Sequence, residues 1–223
     1  MTAIVATQSE SRVQNLYREI LSKSFPRAEL CTEADLVDSV AAGHYRVWVL
    51  ERAGTDGGVA IVEDVGVPGL ALLSWLAMQR GGRSAGGGTR LLRSVLAAEA
   101  ANGVTHLVGE IENPAGDASH AHGDPSARAR FYERFGAQAI VVPYDQPPMA
   151  PGLPAVPMLL LAIPTKPHSD QPIPATALTD LLVRSGRVVA GSLRHTAIVE
   201  LLADGVPRGS LTAATFVRTR ERA

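Results

Sequence analysis

The stretch Arg83-Ser84-Ala85-Gly86-Gly87-Gly88 has the residue types and the setting to hold an anion. It follows an apolar run, Leu70 to Met78, and precedes a helical run, Thr89 to Asn102. Glycines take up positive φ and let the backbone come close to a ligand. The first amides of a helix have no internal acceptor, and the helix dipole favours negative charge there. A phosphate or diphosphate is the natural guest. Spacing excludes two common phosphate motifs. The Gly-Lys-Ser/Thr ending of a P-loop is missing, because Thr89 and Arg90 follow the glycines. The third glycine of a dinucleotide fingerprint is replaced by Leu91, too large for close packing of helix on strand.

Groups able to move protons lie further on. In Gly109-Glu110-Ile111-Glu112-Asn113, the two carboxylates share one face of a strand, because side chains alternate. Tyr132 falls in Phe131-Tyr132-Glu133-Arg134-Phe135-Gly136-Ala137. Asp124 suits the N-cap of a helix there, Pro125 its first turn and Gly136 its C-cap. Between Asn113 and Asp124 runs a long link containing His120 and His122. Two histidines one residue apart, with no second ligand pair, do not make a metal site, so none is expected. A link of this length inside a compact domain reads as a substrate-side lid, and a histidine on it is an alternative base.

Two of these segments carry a family resemblance. Arg83, Gly86 and Gly88 fit every fixed position of Arg/Gln-x-x-Gly-x-Gly/Ala. The segment from Tyr132 is similar to Tyr-Glu-x-x-Gly-Phe, and it follows in the correct order. On these motifs the chain resembles the GNAT superfamily of N-acetyltransferases, over roughly Ile4 to Ile163. The resemblance implies an α/β (α+β) fold: a mixed, mostly antiparallel twisted sheet with helices on both faces and a splayed parallel pair at the cofactor site. It implies acetyl-CoA, or another acyl-CoA, as cofactor. The pantetheine arm would pair with backbone freed by the splay around Leu76, Ala77 and Met78. Arg83, Ser84, Ala85, Gly86, Gly87, Gly88 and Thr89 would hold the diphosphate, with Arg90 or Arg93 reaching the adenosine phosphate.

The chemistry so implied is acyl transfer from a thioester to an amine. Tyr132 takes the place of the family's general acid and Glu110 that of its strand-borne base. Two neighbouring carboxylates would raise one another's pKa, which suits a base near neutral pH. Glu112 would bind a cationic substrate, and the two roles are exchangeable. Glu63 and Asp64 are lesser candidates. Tyr144, with His120 and His122, would line the acceptor side. The family's asparagine seven residues before the tyrosine is Pro125 here, which removes one cofactor contact. The implied acceptor is a small-molecule amine. The alternatives are a protein lysine or N-terminus, a carrier-protein phosphopantetheine as donor, or a catalytically silent acyl-CoA-binding module.

The elements that must position these groups follow from patterning. Strands are predicted at 3–7, 45–52, 59–64, 70–78, 105–112, 138–142 and 156–163. Helices are predicted at 12–24, ended by Pro26, and at 33–42, capped by Thr32 with Asp35. Asp56-Gly57-Gly58 is the predicted hairpin turn. Ten of the fifteen prolines fall between Pro143 and Pro174, which excludes helix there. Beyond them, helices are predicted at 175–184, 194–203 and 211–220. The 223 residues thus divide into an acyltransferase domain, 1–164, and a mainly helical extension, 165–223, packed on it. The extension would close over the substrate, brace the domain or form a homodimer contact.

Composition narrows the class. A net charge of −1 gives no bulk attraction to nucleic acid or to a membrane. No apolar run is long enough for a bilayer. The single cysteine, Cys31, cannot form an internal disulfide and reads as a small core residue. No basic region followed by an apolar stretch opens the chain, so a cytoplasmic protein is expected. The dominance of arginine over lysine suggests a bacterial source.

Overall fold

The computed structural model describes residues 2–79, 86–114, 123–167 and 171–211. Strand β1 (Thr2–Thr7) leads into helix α1 (Glu10–Leu16). That helix runs through a π-helical stretch, Tyr17–Leu21, into the short α2 (Ser22–Ser24). A 3₁₀ turn, Arg27–Glu29, precedes α3 (Glu33–Ala41). Thr32 and Asp35 form the expected reciprocal cap of α3. Then come β2 (Tyr45–Arg52), β3 (Thr55–Glu63), β4 (Leu70–Met78), α4 (Gly87–Ala101) and β5 (His106–Glu112). Helix α5 (Pro125–Glu133) starts as expected, with Asp124 accepting from the Ser126 amide. Strands β6 (Gln138–Ile140), β7 (Asp145–Gln146) and β8 (Val156–Pro164) follow. The extension contributes α6 (Ala175–Arg184), α7 (Leu193–Leu201) and β9 (Arg208–Gly209).

These strands form one sheet in the order β1-β2-β3-β4-β5-β8-β6-β9, with β7 beside β8. Its pairings are antiparallel except for β4 with β5. The hairpin turn differs from the predicted one. It lies at Ala53-Gly54, both with positive φ, and Arg52 pairs with Thr55. Two successive positive φ values suit the twist of a tight hairpin. Gly57 and Gly58 therefore belong to β3, where a Cβ on Gly58 would lie 2.6 Å from the Met78 sulfur. Gly58 serves close packing rather than the turn. The predicted helix at 211–220 falls, but for Leu211, outside the described residues.

One face of the sheet carries α4 and α5, with Leu73, Leu91, Leu107, Ile111 and Leu161 in its core. The other face is covered in two halves. Val13, Leu16, Leu36, Ile61 and Trp75 bind the first helices over one half. Leu72, Val108, Leu160, Leu178, Leu181 and Ile198 bind the extension over the other. The extension also adds a strand, β9, which its helical patterning did not reveal. Cys31 is buried in the first half, as expected of a core residue. Helix α4 is tied to β2 by charge as well as packing. The fully buried Glu99 accepts from Arg46 at 3.0 and 2.5 Å and from the Trp48 indole at 3.3 Å. A buried carboxylate needs such partners.

Candidate active site

The register of β4 creates the site. Against β3, Ile61 pairs with Trp75 but Val62 pairs with Leu73, so Ser74 is an extra residue, a β-bulge. Against β5, pairing runs from Leu70 with His106 to Leu73 with Gly109 and stops there. Beyond the bulge, β4 stays with β3, while β5 continues with β8 through Glu112 and Met158. The two parallel strands therefore part at Ser74. A cavity of about 410 Å³ occupies the opening. Leu76, Ala77 and Met78 line it.

Helix α4 begins at the mouth of this cavity. Gly86, its N-cap, has φ +67° and no side chain caps the helix. Gly86, Gly88 and Thr89 border the cavity, so the first amides of the helix are presented there. Gly87 has another task. A Cβ there would lie 2.7 Å from Met78 Cε and 3.2 Å from Leu50 Cδ2, so its hydrogen seats the helix on the sheet. Arg83, Ser84 and Ala85 lie outside the described residues. Arg90 and Arg93 line a separate hollow beside Ile4 and Trp48, not the cavity.

Tyr132 of α5 is buried and lines the same cavity. Its ring packs edge-on against Phe131 at 5.1 Å. Burial pushes its hydroxyl up to about 12, against the pull of the Arg128 charge, so the phenol keeps its proton at neutral pH.

The carboxylates behave differently from the expected repelling pair. The Tyr144 hydroxyl donates to Glu110 Oε1, and Arg187 Nε donates to Oε2 at 3.1 Å. Glu112 Oε2 accepts from Arg128 at 2.8 Å. Each carboxylate is thus answered by its own arginine, and Glu110, though on the cavity wall, has both oxygens engaged. Arg187 comes from the loop between α6 and α7 and is 6% exposed. It also stands 3.7 Å from Glu63, which accepts from Ser74 at 3.2 Å. Burial raises the pKa of Glu63, and the Arg187 charge opposes the rise. Asp64 faces Arg46 instead, and that pairing holds its carboxyl below the usual range.

Tyr144 does not line the cavity as expected. It sits behind Glu110, because a buried phenol needs a hydrogen-bond partner and finds one in that carboxylate. His120 and His122 lie outside the described residues. Among the described residues, no group of three or more histidine, cysteine or acidic side chains could hold a metal ion.

Sequence patterning missed Arg187 and Glu29. Glu29, on the 3₁₀ turn, is 7% exposed and borders the cavity beside Ser24 and Phe25. Burial, with the charge of Glu112, pushes its carboxyl up to about 7, while Arg128 pulls it down. Its backbone oxygen accepts from the Trp75 indole at 3.0 Å, next to the bulge. The one sequence signal was an acid beside the apolar pair Leu30-Cys31.

The parted strand pair and the glycine-led helix at its mouth define a fold class, and comparison with known proteins agrees. No protein-family model matches the chain, and no curated protein matches it. Solved structures do. A GNAT-family protein from Bacteroides thetaiotaomicron superposes with a TM-score of 0.58 at 22% identity, over 74% of this chain and 86% of its own. The ribosomal-protein alanine N-acetyltransferase of Escherichia coli gives 0.54 at 18% identity, over 77% and 98%. An acetyltransferase-like protein from Salmonella typhimurium, solved with its cofactor acetyl-CoA, gives 0.52 at 14% identity, over 77% and 98%. This chain has the fold of the GNAT acetyltransferases.

Proposed function

We propose that this protein is an acyl-CoA-dependent N-acyltransferase, moving an acetyl or other small acyl group to the amine of a small molecule by direct attack on the thioester. The observation that carries this reading is the parting of β4 from β5 at Ser74, with the amides of α4 presented at the opening. Acyl-CoA supplies the activated acyl group. Leu76, Ala77 and Met78 offer backbone groups that no longer pair with β5, and an extended arm satisfies them as an added strand would. Arg83, Ser84, Ala85 and the residues from Gly86 to Thr89 hold the diphosphate. Tyr132 supplies a proton to the departing sulfur. Glu29 and Glu112 make the acceptor wall acidic, which favours a cationic amine.

The domain of residues 1–164 would carry this chemistry, with the extension as a brace on its second face. No helix among the described residues is long and apolar enough to cross a membrane. A bacterial cytoplasmic enzyme fits the arginine-rich composition and the lone cysteine.

A thiol-release assay with acetyl-CoA over spermidine, glucosamine, lysine and an alanyl peptide tests the reading. Turnover with one of the first three supports it. Turnover with the peptide alone moves the acceptor to a protein N-terminus, as the name of the Escherichia coli neighbour would suggest. Acetyl-CoA binding without turnover would leave a binding module. A second result is expected from Gly86→Val. An added Cβ meets nothing within 4 Å, so packing survives. A side chain at positive φ costs roughly 1–2 kcal/mol, and here it projects into the diphosphate position. Calorimetry should show acetyl-CoA affinity reduced at least about tenfold. An unchanged affinity would count against the loop assignment.

A further inference from the structure

The cavity wall holds four carboxylates, and three have fixed partners. Glu110 is held by Arg187 and Tyr144, and Glu112 by Arg128. Asp124 caps α5 and stands 3.5 Å from Arg130. Glu29 differs. Among the described residues, no hydrogen bond or ion pair reaches its carboxylate, although the residue is more than nine-tenths buried. Its position is fixed through the backbone. The Trp75 indole holds its carbonyl, and Arg27 Nη1 holds the carbonyls of Leu30 at 2.7 Å and Cys31 at 3.3 Å. The Glu29 carboxylate borders the cavity, where an incoming group can reach it.

We propose that Glu29 takes the proton that the acceptor ammonium must lose before it attacks. This inference rests on the acyl-transfer reading above. The acceptor nitrogen first loses one proton to the ionised Glu29 and then bonds to the acyl carbon as the carbon–sulfur bond breaks. The departing sulfur takes the Tyr132 proton, and Tyr132 recovers one from the nitrogen as the amide forms. Glu29 passes its proton to solvent, so each turnover releases one proton.

The charged groups facing Glu29 are Glu112 and Glu110 from β5 and Arg128 from α5. The two carboxylates disfavour its ionised form, and Arg128 favours it. A group poised near pH 7 is both ionised often enough and basic enough to serve. Because Glu29 works only when ionised, activity should fall as pH drops through about 7.

The test is the pH profile of kcat/KM between pH 5.5 and 8.5, with the fastest amine of the panel above. The native protein should show an acid limb near pH 7. Glu29→Gln, nearly isosteric, should keep acetyl-CoA affinity, lose that limb and slow kcat about 10²-fold. Glu29→Asp, with its carboxylate withdrawn, should be slow yet keep the limb. An acid limb that persists in Glu29→Gln overturns this proposal and leaves acyl transfer standing. A flat native profile overturns it even if the variant fails to fold. Absence of turnover with every amine removes both readings together.

Discussion

Arg187→Met is expected to destabilise the protein by about 3–5 kcal/mol, the usual result of removing one partner from a buried ion pair. The arginine lies between Glu63 and Glu110, with its side chain 5% exposed. Methionine can occupy the path of the stem but leaves two carboxylates facing each other without a cation. One must then take up a proton at neutral pH, and the Tyr144 hydroxyl alone remains to anchor Glu110. The urea midpoint should fall with little change in slope, since the surface exposed on unfolding is the same. Adding Glu63→Gln to the variant should recover part of the loss by removing a buried charge. A loss under about 1 kcal/mol would mean that water reaches this pair and screens it.

For the proposed reaction, Tyr132→Phe is expected to slow acetyl transfer about 10²-fold while leaving acetyl-CoA affinity within about twofold, because it removes a proton and almost no contact surface. The phenol is buried against Phe131, so phenylalanine fits the same space. The loss should appear in kcat, as the proton matters only when sulfur departs. A rise in KM at constant kcat would make the hydroxyl a binding group instead.

The capped helices and the strand–glycine–helix order were legible in the sequence because their determinants are local. The glycine turn, the apolar run before it and the helix after it are contiguous. The capping pairs Thr32 with Asp35 and Asp124 with Ser126 act within three residues. The carboxylate wall of the cavity was less legible because its determinants are distant in the chain. Glu110 was found, but its partner Arg187 lies 77 residues away, in a segment whose patterning shows only helices. Tyr144 was seen as a candidate, yet its hydroxyl points to a partner that only the folded sheet supplies. Glu29 has no motif around it; the meeting of the first helices with β5 gives it meaning. The hairpin was misplaced for a different reason. Asp-Gly is a strong turn signal, but Gly58 is needed where Met78 crosses β3, so the turn moved to Ala53-Gly54.

The extra residue at Ser74 reverses the phase of β4. Before it, Leu70 and Leu72 face the layer made by the extension. After it, Trp75 and Ala77 face the layer made by the first helices. One strand therefore answers to two neighbours that never share a residue of it. Substitutions at 70 and 72 bear on the extension, while those at 75 and 77 bear on the first helices. A change in either covering layer can thus be matched along its own stretch of one strand.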